Sequence, residues 1–171
     1  MTDLGRGGSI KQRLFRGFGR LPKPVRRFIV HTVSPNWTAG AVAIIERDGK
    51  WLMVDPVYRK GWTLPGGLID RGEAPATAVE RELREELGIE ADVDETEPWI
   101  LMDSAMRRID VVFHASIPDD LDPASITIHS PELGAVGWFA PDALPETDRE
   151  AGDVFSLIEQ VLGGGSRVLV R

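Results

Sequence analysis

Two short apolar runs, residues 39–46 (AGAVAIIE) and 50–54 (KWLMV), stand either side of Asp48-Gly49. A two-residue type I′ turn needs positive φ at its centre, which Asp-Gly supplies, so the pair predicts a β-hairpin. Residues 97–102, 109–117 and 135–139 are further strand candidates. Val79, Leu83 and Leu87 recur at helical spacing behind Pro75, which suits a first turn, and ahead of Gly88, which suits the left-handed position after a last turn. They predict a helix over residues 74–87. A second amphipathic helix is predicted over 151–162 from Val154, Phe155, Ile158, Val161 and Leu162, ended by three glycines; residues 167–171 then form either a last strand or a loose tail. Strands around strong helices, without internal repeats, indicate an α/β or α+β domain with a mixed sheet and helices on its faces.

Charge divides the chain. Residues 1–31 carry eight Lys/Arg against Asp3 alone, giving +7 and leaving −14 for the rest of a chain of net charge −7. We therefore expect a basic N-terminal arm, residues 1–36, followed by one domain, 37–171. Within the arm, Ile10, Leu14, Phe15 and Phe18 fall near helical spacing before Pro22 and Pro24 interrupt. Such an arm either packs its apolar face on its own domain or on a second subunit in a homodimer, or binds an anionic surface. The first is the expectation, without nucleic-acid binding. With no cysteine, the chain has no disulfide framework, thiolate metal site or Cys nucleophile. No apolar run approaches the roughly 20 residues of a membrane helix, and a cytoplasmic setting is expected.

The chemistry is concentrated in residues 67–89, GLIDRGEAPATAVERELREELGI. At 100° per residue, Glu82, Glu85 and Glu86 share an arc of about 100° beside the apolar stripe. Carboxylates at i,i+3 and i,i+4 repel by a few tenths of a kcal/mol per pair. A hard divalent cation removes that repulsion and uses the oxygens, so Mg²⁺ is the natural occupant and Mn²⁺ can substitute. A solvated acidic helix face, with Arg81 and Arg84 supplying intrahelical pairs, is the competing explanation. The glycines favour the metal, because Pro65-Gly66-Gly67 ends an apolar strand, expected through Trp62 and Leu64, with a tight turn where backbone carbonyls approach whatever the carboxylates hold. Arg81 is placed to reach back to Glu73 and fix the loop against the helix.

Gly67, Glu73, Arg81, Glu82, Leu83, Glu85, Glu86, Gly88 and Ile89 match the fixed positions of the Nudix box, and the chain resembles the Nudix hydrolases from about residue 37 to 162. The resemblance implies an α/β/α sandwich and Mg²⁺-dependent hydrolysis of a pyrophosphate linkage in a nucleoside triphosphate or a nucleoside diphosphate linked to another moiety. It implies Glu82 and Glu86 as principal metal ligands, Glu85 as a further ligand and the Gly66 carbonyl as another oxygen. Family members often add a carboxylate from outside the box, for which Glu132 in Ser130-Pro131-Glu132 is the candidate; an ordinary loop acid is the alternative. Either Glu82 or Glu132 would be the general base.

The substrate is less legible. Trp37, Tyr58, Trp62, Trp99 and Phe113 are candidate stacking residues, Tyr58 and Trp62 foremost, although most aromatics are simply core. Arg59, and equally Arg107 or Arg108, is a candidate phosphate ligand or an ordinary loop charge. The resemblance supplies no subgroup signature: Ser104 to Met106 lack the proline of some ADP-ribose hydrolases, the only tyrosine is Tyr58, and Glu97-Pro98-Trp99 lacks the continuation found in NADH pyrophosphatases. A non-catalytic nucleotide-binding module remains the rival, with intact carboxylates favouring the enzyme.

Overall fold

A computed structural model describes residues 17–33, 36–147 and 149–170. Ile10, Leu14 and Phe15 of the predicted arm pattern lie outside the described residues. The chain divides into two compact units, Met1–Asn36 and Trp37–Arg171. In the first, helix α1 (Lys23–Val33) begins after Pro22, with Pro24 in its first turn, where a missing N–H costs nothing. Among the described residues no helix is long and apolar enough to cross a membrane.

The second unit is built on one mixed sheet. Its strands are β1 (Thr38–Arg47), β2 (Lys50–Pro56), β3 (Gly66–Leu68), β4 (Asp92–Asp103), β5 (Arg108–Ser116), β6 (Leu133–Phe139) and β7 (Val168–Val170). The order is β6-β2-β1-β5-β4-β7, with β3 also paired to β1. The β1–β5 and β4–β7 pairs are parallel and the others antiparallel. Asp48 and Gly49 turn the β1–β2 hairpin with φ of 52° and 69°, both positive as a type I′ turn requires.

Strand residues alternate between faces, and here the alternation separates two cores. Ala41, Ala43 and Ile45 of β1 pack with Val79, Leu83 and Leu87 of helix α2 (Pro75–Leu87). Ile44 and Val112 pack on the other side with Val154, Leu157 and Ile158 of helix α3 (Arg149–Leu162). This is the expected α/β/α sandwich. Gly88 closes α2 in the left-handed region, its N–H donating to the Arg84 carbonyl and that of Ile89 to the Leu83 carbonyl.

Two local expectations are corrected. Residues 62–64 form only isolated bridges, Thr63 to Val54 and Trp62 to Thr147, rather than a strand. The neighbouring glycine turn is instead strand β3, with Gly67 opposite Ala41 and Gly66 opposite Val42. Short residues are needed there because a Cβ on Gly66, at φ 136°, would run into the Ala41 carbonyl oxygen.

Candidate active site

The Glu82 carboxylate of α2 lies against β3. A Cβ on Gly67 would fall on the Glu82 carboxylate, so the absent side chain makes the seat in which Glu82 lies. Arg81 then locks loop, strand and helix together. Its Nε and Nη2 donate to Glu73 at 2.9 and 3.1 Å, Nη2 also donates to the Leu68 carbonyl at 3.0 Å, and Nη1 donates to Glu82 Oε1 at 2.8 Å. Glu73 also accepts the Asp70 N–H at 2.9 Å. The Arg81 hydrogen bonds, followed by that N–H, hold the Glu73 carboxyl below its ordinary range, while the Glu73 partnership raises the proton affinity of Arg81. Arg81 thus reaches back from the helix to the loop, as its spacing from Glu73 suggested.

Glu86 is the most perturbed group. It is 9% exposed and its Oε2 has no hydrogen-bond partner. Burial pushes its pKa up to about 7, helped by repulsion from Glu82, Glu132 and Glu85 and opposed by Arg59. A buried carboxylate with an unsatisfied oxygen among other acids is costly as an anion and suited to a cation. Glu85 is different, with a side chain 61% exposed and a longer 3.4 Å contact to Arg81.

Glu132 arrives from another element. His129 donates its backbone N–H to the Glu86 carbonyl at 2.7 Å, and its ring occupies the space a Cβ on Gly88 would fill. Beyond it, the Glu132 carbonyl accepts the Val57 N–H at 2.8 Å. The loop is thereby pinned to the end of α2 and to the segment carrying Tyr58 and Arg59. The Arg59 guanidinium lies 5.8 Å from the centre of the Tyr58 ring.

A cleft of about 490 Å³ collects these groups. Tyr58, Arg59, Gly66, Gly67, Glu82, Glu86 and Glu132 all line it. Arg81, Glu85 and Trp62 are not among its lining residues. Trp62 packs edge-on against Phe139, with ring centres 4.8 Å apart. Arg108, by sequence a candidate phosphate ligand or an ordinary loop charge, lines the cleft together with Asp110, which the sequence pattern does not single out. The available signal was an acid inside the apolar stretch Ile109-Asp110-Val111-Val112-Phe113.

Among the described residues, no three His, Cys, Asp or Glu side chains converge as a metal-holding group. One Glu82 oxygen is instead engaged by Arg81, and Glu85 leans outward to the same guanidinium. The donor set still fits a hard cation, because the buried Glu86 oxygen lacks a partner and Gly67 leaves space for the neighbouring Glu82 carboxylate.

Comparison with known proteins agrees with the fold. The NUDIX domain family model matches residues 35–158. A MutT-like protein of Streptomyces ambofaciens is 30% identical over 139 residues, covering 81% of this chain and 82% of that protein. The CTP pyrophosphohydrolase of Escherichia coli is 47% identical over 57 residues, covering 31% of this chain and 42% of the enzyme. Among solved structures, a NUDIX hydrolase from Nitrosomonas europaea superposes with a TM-score of 0.63 at 20% identity, covering 80% and 81% of the two chains. A MutT NUDIX hydrolase from Burkholderia pseudomallei gives 0.56 at 28% identity, covering 71% of this chain and 98% of that one. The chain belongs to the Nudix family. With membership comes the general reaction, hydrolysis of a pyrophosphate bond in a nucleotide-linked substrate.

Proposed function

We propose that Glu82, Glu86 and Glu132, with the Gly66 carbonyl, hold Mg²⁺ or Mn²⁺ in the cleft, and that Glu85 supports them from the outer edge. The substrate is a nucleoside triphosphate or a nucleoside diphosphate linked to another moiety. The observation that carries this reading is the buried, partnerless oxygen of Glu86 in a cleft shared with the Glu82 and Glu132 carboxylates. When bound, the cation supplies the positive charge that an anionic pyrophosphate needs before a nucleophile approaches.

The residues of the chain do the remaining work. Arg59 lines the same cleft and is suited to a phosphate oxygen, since a guanidinium presents paired donors to an oxyanion. Tyr58, exposed on the rim, offers a face to the substrate. Glu82 or Glu132 takes the proton of the attacking water. Glu82 is steered by the Arg81 Nη1 bond to one oxygen, whereas Glu132 is delivered by the pinned loop. Both assignments place the base within the cleft.

The test is release of phosphate, pyrophosphate or nucleoside monophosphate from a nucleotide panel, with Mg²⁺ and with chelator. Metal-dependent turnover of at least one member is expected. No turnover across nucleoside triphosphates and nucleoside diphosphate conjugates would overturn the proposal.

A further inference from the structure

The cleft contains polar groups from both faces of the sheet. Glu82 lies over Gly67, whose partner Ala41 belongs to the core beneath α2. Asp110 pairs instead with Gly40, which has the same parity as Val42 and Ile44, on the α3 side. Arg108 donates its Nε–H to Asp110 at 2.8 and 3.0 Å, and the two side chains are 21% and 7% exposed. The fold makes room for this pair deliberately in the physical sense that a Cβ on Gly40 would fall on Asp110 Oδ1 and press on Arg108 Nη2. Around it the cleft wall is apolar: Val42, Leu64, Ala151 and Val154. The cleft therefore has two chemically different ends, an acidic one suited to cation and pyrophosphate and an apolar one that carries the Arg108–Asp110 ion pair.

We infer that Arg108 and Asp110 form the recognition element for the nucleobase of the substrate. This rests on the nucleotide-hydrolase reading above and names the part of the substrate that the second end takes. Apolar walls receive a ring, and a carboxylate beside a guanidinium offers an acceptor next to donors. Nucleobase edges present the complement, an amino or imino donor beside a carbonyl or ring-nitrogen acceptor. A phosphate is the poorer occupant, since the buried Asp110 carboxylate would repel it. Sites built to hydrogen-bond a group reject analogues lacking it strongly, because their own buried polar atoms are then left unpaired. Asp110 and Arg108 therefore set base preference, while Glu82, Glu86 and Glu132 serve any nucleotide.

The direct experiment is calorimetric binding of AMP, GMP, CMP, UMP and ribose 5-phosphate to the full chain in chelator, which requires no hydrolysis. The wild type should prefer one nucleoside monophosphate over the weakest by about tenfold or more in Kd, with ribose 5-phosphate weaker than the preferred nucleotide. The preference should collapse in Arg108→Gln/Asp110→Asn, a paired change that leaves no lone buried charge, and in Gly40→Ala, which displaces the pair sterically. Melting curves identify which variants are folded, and either folded variant suffices. Equal wild-type Kd values for all four bases would overturn the inference, as would ribose 5-phosphate binding as tightly as any nucleotide or an unchanged preference in a folded variant. Mg²⁺-dependent hydrolysis measured alongside separates the two readings. Turnover with no base preference in binding sinks this inference alone, whereas base-selective binding with no turnover sinks the hydrolase reading alone.

Discussion

Replacing Glu86 by Gln tests the electrostatic cost built into α2. Folding raises the Glu86 pKa from its ordinary 4.5 to about 7, so between those values the folded chain binds more protons than the unfolded one. Stability then falls as pH rises through that window, with no penalty well below pH 4.5 and the full penalty above 7. The gap corresponds to about 3 kcal/mol at pH 8, and between pH 5 and pH 8 to about 2 to 3 kcal/mol. For a chain of this length that is roughly 5 to 10 °C of melting temperature. Gln has nearly the same shape and no charge, and any cost of burying its amide is the same at both pH values. The assay is a pair of denaturation curves, with chelator, at pH 5 and pH 8 for both proteins. The wild type should lose about 2 to 3 kcal/mol more than the variant over this interval. Adding Mg²⁺ at pH 8 should return stability to the wild type and much less to Glu86→Gln, because a ligand stabilises the state that binds it. Parallel pH dependence in the two chelated proteins would refute the reasoning.

Three further substitutions probe the surrounding machinery. Glu82→Gln should lower kcat by roughly 10²- to 10⁴-fold while leaving the melting curve near wild type, and near-normal turnover would exclude Glu82 as base and as an essential ligand. Gly67→Ala places a methyl on the Glu82 carboxylate; loss of at least about tenfold in kcat with roughly 1 to 3 kcal/mol of destabilisation is expected, and an active, equally stable variant would remove the seating role of that glycine. Arg81→Lys keeps the charge but cannot span Glu73, the Leu68 carbonyl and Glu82 together. It should behave like a misplaced Glu82, with kcat falling by roughly tenfold or more and KM changing little, so an effect on KM alone would reassign Arg81 to substrate binding.

The parts of this site that could be read from sequence are those fixed locally. The α2 boundaries follow from Pro75 and Gly88, the buried face from Val79, Leu83 and Leu87, and the shared placement of Glu82 and Glu86 from helical spacing, whereas Glu85 of the same arc turns outward. Arg81 to Glu73 was legible because both lie in one short loop-helix unit. Strand β3 was not: two of its three residues are glycines, which carry no strand preference, and only pairing with β1 makes it a strand. Residues 62–64 misled for the opposite reason, since an apolar run has strand chemistry whether or not a partner is in register. Asp110 was hidden because its side of the sheet depends on alignment with Gly40, 70 positions earlier in the chain. Trp62 is a candidate for stacking on substrate or for core by its chemistry, and its ring packs edge-on against Phe139.

The central claim is that the cleft carboxylates of α2 and the Glu132 loop hold one or more divalent cations. Titration of the full chain with Mn²⁺, followed by the loss of the free-ion paramagnetic resonance signal, measures this directly and independently of substrate. Saturable binding is expected in the wild type, weakened about tenfold or more in Glu86→Gln, the size of effect seen when a group supporting a metal site is removed. Identical Mn²⁺ binding curves for the two proteins would contradict the account.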